Sequence, residues 1–313
     1  MQPPKYHAPL ILLIALAFST SCAAPKESKG LAAERERLKV AVYNPGAIRE
    51  QTSVGMYITT LDRTIQQWNH TFLTGHQDRD RRTLSRLEDV IRTRSLKLFD
   101  LLVEQLESGP PYNRQVAATA LGFTASEHAL SPLLNALSDP DQEVVNNALV
   151  GLSVLADPTT PLQGILHQMR FGSSEKIRGN AAMALHICLQ TGSPSTPEVV
   201  EAARSGLHDD APYVRTKSAL ILAYERDVES IGDLALQLYD DNLDSAAMAA
   251  SRAIAWLGEK EVHSRGRCAR ALTASLGKVN DAVVSAVLRD LQLLSGRNYP
   301  THEDWVQWAH RLP

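Results

Sequence analysis

The chain repeats itself, and this restricts its fold more than any other property. Six segments align at 113–121, 144–152, 177–185, 214–222, 249–257 and 283–291, with starts 31, 33, 37, 35 and 34 residues apart. Within them, apolar or small residues recur at the first, fifth and ninth positions, the spacing of one face of an α-helix. Second apolar-periodic stretches lie between them at 129–137, 161–169, 197–207, 228–238 and 268–276. The repeating unit is therefore a helical hairpin. A hairpin with apolar residues on both sides is unstable alone, and stacking buries a continuous seam.

The turns agree with this reading. Segments 138–141, 172–174, 208–212, 240–242 and 280–281 precede the aligned helices and offer Asp, Ser and Asn as N-caps. The opposite turns carry Gly122, Asp157, Pro158, Gly192, Pro194 and Gly258. No run alternates with period two, so strands are not expected. Residues 48–116 contain no alanine, whereas 117–313 contain 29, which marks the segment before the repeats as a different module.

The aligned core resembles HEAT repeats, in the short bacterial form also known as PBS-lyase HEAT-like repeats, with the pattern Asp-x-x-Val-Arg-x-x-Ala-x-x-Ala-Leu-Gly. Residues 210–222 and 175–185 are the nearest copies, and the resemblance spans 109–295, some 60% of the chain. It implies an all-α fold, an α-solenoid of about six helical hairpins. Arg178 and Arg215 match the family's arginine, which typically bonds a turn acid of the same or the adjacent repeat. Val145, Ala250 and Val284 depart from it, implying looser polar contacts where they stand.

Both ends differ from the array. Residues 1–21 read as a signal peptide, with Lys5 ahead of an uncharged run from Ala8 to Phe18 that is too short to span a bilayer. The following Cys22 completes a segment, Phe18-Ser19-Thr20-Ser21-Cys22, that resembles a bacterial lipobox. That resemblance implies lipidation at Cys22 and a membrane-anchored lipoprotein of the cell envelope. Ordinary cleavage after Ala23, giving a soluble periplasmic protein, is the alternative. Residues 22–45 read as a tether and 46–108 as an N-terminal helical cap, with helices expected at 61–68 and 84–106. Residues 296–313 read as a C-terminal capping helix. Thr301 caps it, Asp304 reaches back, and Trp305 and Trp308 share a face as a lid on the last repeat.

Composition narrows the function. Net charge is −3, from 32 basic and 35 acidic residues, which disfavours a nucleic-acid partner. Cys188 and Cys268 sit on apolar helix faces, lack metal-ligand spacing and are expected to be buried thiols. HEAT-repeat iron hydroxylases place His-Glu pairs on several helices, but this chain has one such pair, His302-Glu303. Phosphate loops, nucleophile elbows and Cys-x-x-Cys pairs are absent from the sequence. A non-enzyme with no cofactor and no metal is expected.

Charge is uneven: segment 225–244 carries seven acids against Arg226, and 78–97 carries seven basic residues against four acids. The chain could therefore present two complementary docking surfaces. In the HEAT family the second helix of each hairpin usually lines the concave face. Assigning that role to the stretches between the aligned helices makes Gln168, Arg170, Glu201, Arg204, Asp233, Gln237, Arg267 and Arg270 the candidate contacts for a protein or peptide partner. The expected function is a protein-binding scaffold or adaptor in the bacterial cell envelope. The alternative is an accessory enzyme, or a HEAT-like protein binding a metal or small ligand.

Overall fold

The computed structural model describes residues 45–75 and 78–313, so the leader, Cys22 and all but the last residue of the tether lie outside the described residues. The fold is all-α: fifteen α-helices, with no strand among the described residues. The chain divides into two compact units, one ending at Thr124 and the other running from Ala125 to Pro313.

The first unit holds α1 (Pro45–Thr74), α2 (Asp78–Lys97), α3 (Phe99–Ser108) and α4 (Pro111–Gly122). Ile58, Leu61, Trp68 and Phe72 of α1, Ile91 of α2, and Leu102 and Leu106 of α3 are buried, along with most of α4. Trp68 stacks on Phe72 at 5.3 Å and meets Phe123 edge-on at 5.1 Å. Its indole N–H donates to Glu88 at 3.0 Å, satisfying the polar end of an otherwise apolar side chain. The single helix expected over 84–106 is two. Leu98 (φ −113°, ψ 21°) breaks it, although neither glycine nor proline is near. The break lets α2 run along α1 while α3 turns to pack on α4.

The second unit is the stack. Five long helices, α6 (Gln142–Leu155), α8 (Glu175–Thr191), α10 (Pro212–Tyr224), α12 (Asp244–Lys260) and α14 (Asp281–Ser295), coincide with the last five aligned segments. Alternating with them are α5 (Leu130–Asn135), α7 (Gln163–Phe171), α9 (Pro197–Gly206), α11 (Ile231–Asp240), α13 (Arg265–Ser275) and α15 (His302–His310). Each long helix packs on its hairpin partner and on the next long helix, the nearest-neighbour pattern of a solenoid. Small residues allow the close approach. Gly206 of α9 is one such point, since a methyl group there would overlap the Ser218 hydroxyl and lie 2.9 Å from Met169 Cε. Gly206→Ala is expected to cost about 1–3 kcal/mol through overpacking, measurable as a lower urea midpoint.

Four of the expected caps form. Asp141 accepts from the Glu143 and Val144 amides, Ser174 from Ile177, Asn280 from Ala282 and Val283, and Thr301 from Asp304. Asp304 does not reach back to the Thr301 backbone. It accepts the Thr301 hydroxyl at 2.6 Å instead. The acids at 208–212 and 240–242 also act differently. Asp209 and Asp241 accept amides two residues ahead, Ala211 and Leu243, at 2.8 and 3.0 Å, and turn their remaining oxygens to another repeat.

Candidate protein-binding surface

Two arginine clamps join successive repeats. Arg178 of α8 forks onto Asp209 at 2.7 and 2.9 Å, and Arg215 of α10 forks onto Asp241 at 2.6 and 2.7 Å. Each arginine thus holds the turn acid of the following repeat, a bidentate geometry lysine cannot reproduce. Burial opposes the charge on Asp209, but the Arg178 guanidinium and the Ala211 amide hold its carboxyl below the usual range. The repeats lacking the motif arginine are joined by other, monodentate polar contacts. Glu143 pairs with Lys176 at 2.7 Å, Asn180 donates to Asn146 at 2.6 Å, and Asn280 donates to Asp244 at 2.7 Å. Buried Asp290 accepts from Ser251 at 2.7 Å and lies 3.1 Å from Arg252.

Ion pairs offset part of the expected charge asymmetry: of the acids in 225–244, Asp227 binds Arg204 and Asp241 binds Arg215. Glu225 and Asp244 accept from the neutral Ser195 and Asn280 and keep their charge.

Most of the candidate contacts on the short helices are likewise committed internally. Gln168 donates to the Leu137 carbonyl at 2.9 Å. Arg170 and Glu201 pair with each other at 2.7 Å. Arg204 forks onto Asp227 at 2.7 and 2.5 Å. Arg270 reaches the Ala309 and Leu312 carbonyls at 3.4 and 3.3 Å, tying down the C-terminal helix. Gln237 does not point outward: it is 7% exposed and donates to the Ala246 carbonyl. Arg267 is exposed and Asp233 half-buried.

The other layer offers a different surface. Consecutive long helices pack along one another throughout the stack, whereas α9 and α11 barely meet. At the seventh and eleventh positions of the aligned segments stand Val150 and Val154 on α6, Met183 and Ile187 on α8, and Leu220 and Tyr224 on α10. Met183 and Ile187 are buried, the two valines and Leu220 are half-buried, and Tyr224 is 39% exposed. Trp256 of α12, 40% exposed, and Leu293 of α14, 59% exposed, carry apolar surface further along the stack. The Tyr224 hydroxyl donates to the Leu189 carbonyl at 2.7 Å, fixing the ring across the join between α8 and α10. Such a row can take apolar side chains from a partner.

Residues 99–169 match the family model described as HEAT repeats. The match begins at Phe99, within the segment read as the cap, and so includes the α3–α4 hairpin. No curated protein matches the chain. Among solved structures, an engineered protein is 18% identical, with 96% of this chain and 81% of that chain covered at a TM-score of 0.45. A designed armadillo repeat protein is 20% identical over 62% of this chain and 98% of its own, with a TM-score of 0.44. Human deoxyhypusine hydroxylase in complex with glycerol is 16% identical over 81% and 100%, with a TM-score of 0.36.

Among the described residues no cluster of three or more His, Cys, Asp or Glu could hold a metal. Cys188 and Cys268 are buried on α8 and α13 as expected, and burial pushes their thiols up to about 11 and about 12. Thiols so raised are poor nucleophiles at neutral pH.

His186, 4% exposed on α8, is held neutral. Burial, and then the charge of Lys217, lower its pKa from 6.5 to about 3. The unfolded chain binds a proton at this site below about pH 6.5 and the folded chain does not. This contribution to stability is therefore full above pH 6.5 and declines as pH falls toward 3. Urea unfolding at pH 6.5 and pH 5 should show a loss of about 2 kcal/mol from this residue, absent in His186→Leu.

Proposed function

We propose that the protein is a non-enzymatic scaffold of the bacterial cell envelope, anchored to a membrane through a lipidated Cys22, that holds a protein partner along its long helices. The apolar side chains at equivalent repeat positions through Tyr224, with Trp256 one position off that register on the next long helix, carry this reading. Large half-exposed aromatics on an otherwise packed surface are the usual anchors of a protein interface. A solenoid distributes contacts over several repeats, so the partner is read by a strip rather than by one pocket. No described helix is long and apolar enough to cross a membrane.

Photo-crosslinking in intact cells tests the surface. A crosslinker at Leu220 or Trp256 should capture one discrete partner, and one at Arg204 or Arg267 should not. Capture from the short-helix positions alone would reverse the assignment. The anchor is tested apart from this: Cys22→Ser should move the protein from the membrane to the soluble fraction, and a wild type already soluble would disprove lipidation.

A further inference from the structure

We infer that the outer face of α2, with the cavity at its C-terminal end, seats against an anionic lipid surface. This rests on the envelope placement proposed above and adds a second membrane contact to the anchor. On α2, exposed Arg82, Arg86 and Lys97 share one side of the helix with exposed Val90 and Leu96, opposite buried Ile91. Asp89 and, at the first residue of the helix, Asp78 are the acids on that side. A helix presenting cations and scattered apolar side chains together is suited to the headgroup region of a bilayer.

The second observation lies beside it on α1. Met56, 59% exposed, and Tyr57, 44% exposed, open onto a cavity of about 320 Å³. Leu61 and Leu98 give that cavity apolar walls, and Arg94 and Lys97 supply its charge. Arg94 is held in place by donating to the Thr64 hydroxyl at 3.2 Å. An apolar recess with two cations matches an amphiphile bearing an anionic head, which an acidic peptide without apolar side chains does not provide. Distance also favours lipid. Only residues 23–44 separate Cys22 from Pro45, so α1 begins no more than about 83 Å from the anchor even at full extension. An acyl anchor combined with a basic patch is the two-signal arrangement that gives stable membrane residence.

Vesicle flotation tests this independently of lipidation, using the leader-free chain (residues 22–313, which include every described residue) with Cys22→Ser. It should float with vesicles of phosphatidylglycerol and phosphatidylethanolamine, at least tenfold better than with phosphatidylcholine, and 0.5 M salt should release most of it. Arg86→Glu with Lys97→Glu should lower binding to anionic vesicles at least tenfold with an unchanged thermal midpoint. Leu96→Ser with Met56→Ser should remove the salt-resistant remainder. Arg267→Glu with Arg289→Glu, the same charge change on the second unit, should leave flotation intact. Equal binding to neutral vesicles, no effect of the α2 reversal, or an equal loss in the second-unit control would each overturn the inference. So would a chain that never floats yet loses a crosslinked acidic protein when α2 is reversed, because that face would then bind protein.

Discussion

Trp305→Ala is expected to lower the unfolding free energy by about 3–5 kcal/mol, the largest effect of any single substitution considered. Trp305 is 1% exposed. It meets Tyr299 edge-on at 4.8 Å and Trp308 at 5.8 Å, so truncation removes aromatic contacts along with buried area. The damage should be local. α15 is tied to α13 through the Arg270 bonds and through His302, whose ring lies 3.0 Å from the Thr273 carbonyl. Loss of the lid leaves the apolar end of the last repeat facing water, where a solenoid needs a cap. Hydrogen exchange should therefore accelerate first in α13 and α14 while α6 and α8 retain protection. Uniform acceleration across the stack would show that Trp305 supports more than the end.

Asp241→Ala should cost about 2–4 kcal/mol. Its carboxylate side chain is 2% exposed and accepts both prongs of Arg215 as well as the Leu243 amide. Removing it strands a guanidinium that is itself largely covered, and the cost is dominated by that unpaired charge. Chemical denaturation measures the loss, and a double-mutant cycle assigns it. Arg215→Ala made in the Asp241→Ala background should cost much less than in the wild type, and additive losses would mean the pair is not coupled. Arg215→Lys should recover only part of the stability, because one ammonium cannot occupy both carboxylate oxygens.

The helices of the stack were legible because alanine and leucine recur with a fixed phase and because Asp141, Ser174 and Asn280 punctuate it. The inter-repeat clamps were legible at Arg178 and Arg215, where the motif is intact. The break at Leu98 was not, since no glycine or proline marks it and only the packing of α3 on α4 calls for it. Which helix layer of the stack offers a partner surface was not legible, because both helices of a hairpin have apolar faces. The burial of Gln237 and Lys217 had no signal, because each is polar and sits where an exposed residue also fits the period.

The clamps carry a mechanical consequence. Arg178, Asp209, Arg215 and Asp241 form a brace across the consecutive repeats built on α8, α10 and α12. Joins on either side have no such fork and rely on monodentate contacts: Lys176 with Glu143 and Asn180 with Asn146 on one side, Asp290 with Ser251 and Arg252 and Asn280 with Asp244 on the other. Such a stack has a stiff waist between two more compliant arms. Under a pull from a captured client, extension would be taken up at the α6–α8 and α12–α14 joins while the waist keeps its curvature, so Tyr224 would hold its place as the arms adjust to the cargo.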